Sequence, residues 1–474
     1  MITHRLCFGL LLLNTLLLAQ NASPSHADPV PLIYQPLKPT SMRPGAQAFK
    51  LRVRGTGFTA HSVVSWNGNA LRTTRLGRSE LSAVVPASFV NVPETASVTV
   101  SNTTGSGVTS NVQFFTVSDP IARPKFNNFV QATTFAGVYA LIAADLNGDG
   151  NLDIAGVVPS DNIVFVMLGN GDGTFQQAVS YPVGNGPICL VAADFKGDGN
   201  LDLAVGNEQG DTISVLLGNG DGTFQQQQVF ATAPSPYTLF AADLNRDGKL
   251  DLLVGSQSGP PGVVSVLLGR GNGMFDRHVE YGTGGETVDA MTVGDFNRDG
   301  ILDLVTFDHN IDSASVLLGT GNGGFRAPTF VKFPTAALFQ SAVAADFNND
   351  GKLDLAVAWE YEGYSEGAFV LLGDGKGGFP VIHNQQAGSY PMGIGLGDFN
   401  ADGILDLVVS NIDSDNVSIL LGRGHAKFRG PLEYKAGSQA FGVAVGDFNN
   451  DGRLDVAVPL PNAGYSSIAV LLQK

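Results

Sequence analysis

Residues 145–153 read DLNGDGNLD, and the same nonamer returns as DFKGDGNLD (194–202), DLNRDGKLD (243–251), DFNRDGILD (295–303), DFNNDGKLD (346–354), DFNADGILD (398–406) and DFNNDGRLD (447–455). The leading aspartates are spaced 49, 49, 52, 51, 52 and 49 residues apart. A fixed period of this length marks a repeat architecture, in which each unit buries its apolar face against its neighbours. Each period holds four short runs, in the second unit CLVAADF (189–195), LDLAVGN (201–207), TISVLLG (212–218) and FQQQQVFAT (224–232). Their β-branched and leucine content favours strands, and glycine-rich joints such as GNGDG (218–222) suit hairpins.

Four antiparallel strands repeated at this period predict an all-β chain, a seven-bladed β-propeller of four-stranded blades. An open solenoid is the alternative, and the chain ends argue for closure. Phe175 precedes Asp194 by 19 residues, and Phe126 precedes Asp145 by the same 19, although no complete unit comes before it. At the other end SSIAVLLQK (466–474) supplies a third strand and no fourth. A strand near 126–130 is therefore expected to complete the last blade and remove its open edge.

The nonamer also carries chemistry. Calcium takes about six to eight oxygen ligands. D-x-N-x-D-G-x-x-D offers side-chain oxygens at positions 1, 3, 5 and 9 and a backbone carbonyl at 7, with glycine at 6 for the sharp turn. The expected ligands are Asp145, Asn147, Asp149, Asn151 and Asp153 in the first loop; Asp194, Asp198, Asn200 and Asp202 in the second; and Asp243, Asn245, Asp247, Lys249 and Asp251 in the third. The fourth offers Asp295, Asn297, Asp299, Ile301 and Asp303; the fifth Asp346, Asn348, Asp350, Lys352 and Asp354. The sixth offers Asp398, Asn400, Asp402, Ile404 and Asp406; the seventh Asp447, Asn449, Asp451, Arg453 and Asp455. Asp-Gly alone makes hairpin turns, but a turn does not require four oxygen donors at one spacing in seven places. In the second loop Lys196 replaces the position-3 asparagine, which leaves six strong sites and one compromised. Three aspartates in each of seven loops make 21 of the 43 acidic residues, and seven divalent ions would nearly cancel the net charge of −16.

These repeats resemble the FG-GAP (VCBS) repeats of integrin-α-like propellers over residues 122–474. The resemblance implies a calcium-binding propeller at a cell surface or outside the cell and no single activity. Residues 31–118 form a different unit, expected to be a small β-sandwich. Its GTGF (55–58), VSWNG (64–68), VPASF (85–89) and VTVSN (98–102) order resembles IPT/TIG domains of the immunoglobulin-like class. Trp66 is expected to pack at a strand end. Residues 1–27, with Arg5, the apolar stretch Leu6–Ala19 and Ser25-His26-Ala27, read as a secretory signal peptide. A secreted, cell-surface or periplasmic monomer without a membrane span follows. Cys189, in an apolar strand, is expected to be inert.

The acidic balance excludes nucleic-acid backbones as partners. GYSEG (363–367) has nucleophile-elbow spacing but sits between strands, outside the strand-to-helix context that motif needs. The expected role is a non-catalytic binding or adhesion module for an extracellular glycan or protein, with a polysaccharide lyase as the alternative. The resemblance to integrin-like propellers puts recognition on the face away from the acidic loops. Tyr139, Tyr237, Trp359, Tyr361, Tyr364, Tyr390, Phe441 and Tyr465 are expected there, either as ligand platforms or as loop packing.

Overall fold

The computed structural model describes residues 27–102, 108–127, 130–132, 135–308, 313–334, 337–360, 366–462 and 468–474. Among them the regular structure is strand, apart from two short 3-10 turns, Ala87–Val90 and Glu208–Gly210. The second repeat shows the plan. Pro187–Ala193, Asp202–Asn207, Thr212–Leu216 and Gln228–Ala231 form an antiparallel sheet in chain order, with Ala193 opposite Asp202, Leu203 opposite Leu216 and Val215 opposite Gln228. Other four-stranded sheets repeat this order, and the fifth repeat supplies half of an eight-stranded sheet.

Burial explains why the four runs read differently. The second strand lies between partners and is covered on both faces, so every residue of Asp202–Asn207 is buried and its sequence is a continuous apolar run. The fourth strand forms the outer edge, and Val179, Val229 and Val279 on it are about half exposed. First strands of successive sheets lie against one another from Ala140–Ala144 round to Ala444–Gly446, which returns to touch Ala140–Ala144. The arrangement is a repeat propeller around a central channel.

The two chain ends meet. Val130–Ala132 pairs antiparallel with Ile468–Leu471. Phe126 bridges Gln473 as Phe175 bridges Gly169 and Phe224 bridges Gly218. In six repeats the residue on the strand-three side of this joint is glycine because the backbone before position 9 passes against it. A Cβ on Gly169 would stand 2.2 Å from the Leu152 carbonyl oxygen.

The strands between 32 and 117 form two sheets that share an apolar core including Leu51, Val53, Val64, Leu81, Val98 and Phe115. Trp66 is buried there, 4.9 Å from Phe115 and hydrogen-bonded through Nε1 to Glu94. One sheet continues into the fifth repeat, where Gln35 pairs in parallel with Ala345.

Trp359 departs from its expected place on a ligand face. It is fully buried and stacks on Phe369, with ring centroids 4.3 Å apart and planes 9° apart. It closes the end of the second strand, where exposure would strip a large apolar ring of its packing. Phe369→Ala is expected to remove this stack at a cost of about 3–5 kcal/mol. Denaturant midpoints measure it, and a loss below about 1 kcal/mol would contradict the assignment.

Candidate metal loops and the open face

Each acidic loop folds on its own N–H groups. In the first, Asp145 Oδ1 accepts from Gly148 and Asp149, and its Oδ2 accepts from Gly150 at 2.9 Å. Asn147 Oδ1 accepts the Asp149 N–H, and Asp149 Oδ1 accepts the Asn151 N–H. The position-7 residues Asn151, Asn200, Lys249, Ile301, Lys352, Ile404 and Arg453 all donate this last bond, at 2.7–3.1 Å. Glycine at position 6 has φ between 82° and 90° throughout, a conformation that side chains disfavour.

The ninth position does something the spacing did not reveal. Asp153, Asp202, Asp251, Asp303, Asp354, Asp406 and Asp455 are all fully buried. In the first loop Asp153 accepts the Leu146 N–H with one oxygen and the Gly169 N–H with the other, both at 2.8 Å. The last loop repeats the pattern, with Phe448 and Gln473 as donors to Asp455. This carboxylate staples its own loop to the end of the third strand.

Burial raises the carboxyl pKa of these staples, to about 6 for Asp153 and Asp202, about 7 for Asp251, Asp303 and Asp354, and about 8 for Asp455. Asp406 is raised well above the usual range for the same reason. The leading Asp243, Asp295 and Asp398 are pushed up to about 6 by burial.

Among the described residues no three His, Cys, Asp or Glu side chains stand gathered as a ready-made cation cluster. By residue type the donor set nevertheless fits a hard cation, since each loop offers carboxylate oxygens and a backbone carbonyl. Asp295 gives a sharper indication: its Oδ1 is buried and has no hydrogen-bond donor. In the second loop Lys196 Nζ lies 2.6 Å from Asp198 Oδ2, placing a fixed cation on a candidate ligand.

The N-terminal sheets cover this face. The Val30 N–H donates to Asp243 Oδ2 at 2.8 Å, and the Asp295 N–H donates to Tyr34 Oη at 2.9 Å. Arg54 Nη1 stands 2.6 Å from Asp346 Oδ2, with Lys38 Nζ 3.9 Å from the same oxygen. A cavity of about 260 Å³ remains between Leu32–Gln35 and inner-strand residues such as Thr292, Val343 and Val445.

The opposite mouth of the channel is open. The residue six before each leading aspartate lies there: Tyr139, Ile188, Tyr237, Asp289, Gln340, Met392 and Phe441. A concavity of about 390 Å³ is lined by five of these together with Tyr390, Gln257, Ile412, Asp413 and Gln439. Tyr139 packs on Phe441 with ring centroids 4.4 Å apart and hydrogen-bonds Tyr237. The structure thus brings Tyr139, Tyr237, Tyr390 and Phe441 together and sends Trp359 inward. Tyr361, Tyr364, Ser365 and Tyr465 lie outside the described residues, as does the leader stretch 1–26. Asp289, Gln340, Met392 and Asp413 were missed; reading one offset through all seven units finds the first three. Burial pushes the Cys189 thiol up to about 12, which disfavours the reactive thiolate.

An unfolded aspartate titrates near about 3.9. Between that value and the raised folded values, the folded chain holds protons that the unfolded chain has released. Stability therefore falls as pH rises through this window. Melting temperatures in excess chelator are expected to drop from about pH 5 to about pH 8, and a rise over that interval would contradict the assignment.

A family model described as FG-GAP-like repeat matches residues 145–205, 194–254, 243–306, 304–357 and 398–458, more than half of the chain. Cartilage acidic protein 1 of Xenopus tropicalis is 32% identical over 133 residues, 26% of this chain and 21% of that protein. The match thus spans about a fifth of that relative. Among solved structures, the BP39L lectin of Burkholderia pseudomallei is 15% identical with a TM-score of 0.50, covering 70% of this chain and 97% of its own. The Dos1 propeller is 11% identical with a TM-score of 0.46, covering 74% and 95%. By the extent of the repeat match, the chain belongs to the FG-GAP-like repeat family.

Proposed function

We propose that this chain is an exported, calcium-stabilised, seven-bladed propeller that acts as a non-catalytic binding module for an extracellular glycan or protein. An IPT/TIG-like sandwich over residues 31–118 precedes the propeller and sits on its acidic-loop face. The observation that carries this reading is the asymmetry of the two faces. One is covered by the N-terminal sheets, while the other opens a concavity lined by Tyr237, Tyr390 and Phe441. Aromatic rings with a few fixed polar groups in a concave site are what ligand recognition requires.

Calcium has a scaffold role in this reading. The buried Asp295 Oδ1, which has no hydrogen-bond donor in reach, supports this reading, since a hard cation would give it a partner. Positions 1, 3 and 5 would hold the ion with the position-7 carbonyl. Position 9 keeps its stapling bonds and adds charge beside the ion. Extracellular calcium modules work at Kd values of about 0.1–1 mM, so ions at millimolar calcium would add stability by mass action.

Calorimetric titration with calcium is expected to find about six sites and a weak or silent second loop. Lys196→Asn is expected to add one. No binding, or only one or two ions, would overturn the metal reading. A glycan and protein binding screen run beside a lyase absorbance assay tests the module: binding without turnover supports it, and unsaturated products would replace it with an enzyme.

A further inference from the structure

We propose that the concavity on the open face is a subsite for a neutral, hydroxyl-rich sugar ring, with Tyr390 as a platform. The proposal rests on the reading of that face as the ligand face and narrows the chemistry it accepts.

The backbone at Tyr390 carries the first part of the case. Eight residues before the leading aspartate the chain turns through the left-handed region in five units: Gly137 at φ 76°, Gly186 at 65°, Ser235 at 57°, Tyr390 at 57° and Gln439 at 59°. Glycine meets this turn without strain, and a bulky residue there is a genuine outlier. The sixth unit nevertheless places a tyrosine at it, and there the ring lines the concavity. The Tyr390 N–H is held by Glu366 Oε2 at 2.5 Å, which fixes the strained turn. Strain kept at a concave site is a signature of function.

The polar groups set the chemistry. Gln257 spends its amide N–H on Asp289 at 2.7 Å, and Gln340 spends one on Glu360 at 3.4 Å. Each keeps its carbonyl oxygen and one amide N–H for a ligand. Asp413 adds an exposed carboxylate, and among the described residues no Lys, Arg or His lines the site. A lining with the Asp289 and Asp413 carboxylates and, among the described residues, no cation repels sulfate and uronate groups. It suits hydroxyls, which donate to the acceptors, while Tyr237, Tyr390 and Phe441 offer apolar faces to the C–H side of a pyranose. The volume of about 390 Å³ falls in the range of small-molecule sites, about 300–1,000 Å³.

The test is calorimetric titration of the full chain, in calcium, with neutral gluco-, manno- and galacto-oligosaccharides and with oligogalacturonate. At least one neutral series is expected to bind and oligogalacturonate to fail. Tyr390→Gly is expected to weaken that binding by about tenfold or more while the melting temperature holds or rises, since glycine relieves the turn. Asp413→Asn, at an exposed position, is expected to weaken it without changing the melt. Oligogalacturonate binding as tightly as the neutral series would overturn the proposal. So would neutral binding that survives both substitutions, although glycan recognition elsewhere on the chain would then stand. Binding of no saccharide beside capture of a protein ligand would remove the sugar subsite and leave the binding module. Binding of neither would remove both.

Discussion

The structure depends on a buried carboxylate that is repeated around the ring. The ninth-position aspartate of every loop is inaccessible to solvent, and its two oxygens take N–H groups from its own loop and from the end of the third strand of the same sheet. Burying an ionised carboxylate is costly unless it is paired and hydrogen-bonded. Two N–H donors relieve only part of that cost, as the raised pKa values record. Placing the rest of the acidic loop beside it adds like charge, which a counter-charge would relieve. A lysine from within the second loop and an arginine from the N-terminal sheets at the fifth show two protein-borne forms of that counter-charge.

This constraint polarises the disc. Because each loop joins the first and second strands at the same end, all seven acidic loops gather on one face, and the N-terminal sheets dock on it through Val30, Tyr34 and Arg54. The parallel pairing of Gln35 with Ala345 makes the docking part of a sheet. The other channel mouth is left uncovered, and it is there that the proposed ligand face lies.

Much of the fold was legible because the nonamer dictates its own turn. D-x-N-x-D-G fixes three successive side-chain-to-backbone bonds and a left-handed glycine, and these are local properties of a short segment. The pairing role of the segment at Phe126 was equally legible, since it was a count of residues from one phenylalanine to the next aspartate. Docking of the N-terminal sheets was not. It rests on Arg54 meeting Asp346 nearly three hundred residues away, and nothing in either local sequence encodes the encounter. The dual use of position 9 was hidden for a related reason: its second donor, Gly169, belongs to another strand.

Trp359 shows how residue type misleads in a repeat and offset does not. It stands thirteen residues after its leading aspartate, as Val158, Asn207, Ser256, Asp308, Asn411 and Leu460 do in the other units. All seven are buried, although their chemistry ranges from carboxylate to indole. The site is a diagonal pair across the second and third strands, filled by Asn and Ser in the second and sixth units and by other pairs elsewhere. Asn207 donates to Ser214 at 2.9 Å, Ser315 donates to Asp308 at 3.3 Å, and Trp359 stacks on Phe369. A polar pair survives there on its mutual hydrogen bond, although the Asn207 and Asn411 carbonyl oxygens are left without a donor, and an aromatic pair survives because it fills the same volume with apolar contact. Position within the period decides exposure; the residue decides only how the position is satisfied. The offset is a weaker guide at the channel mouth: six before the leading aspartate, Ile188, Asp289 and Met392 are buried while Tyr139, Tyr237, Gln340 and Phe441 are partly exposed.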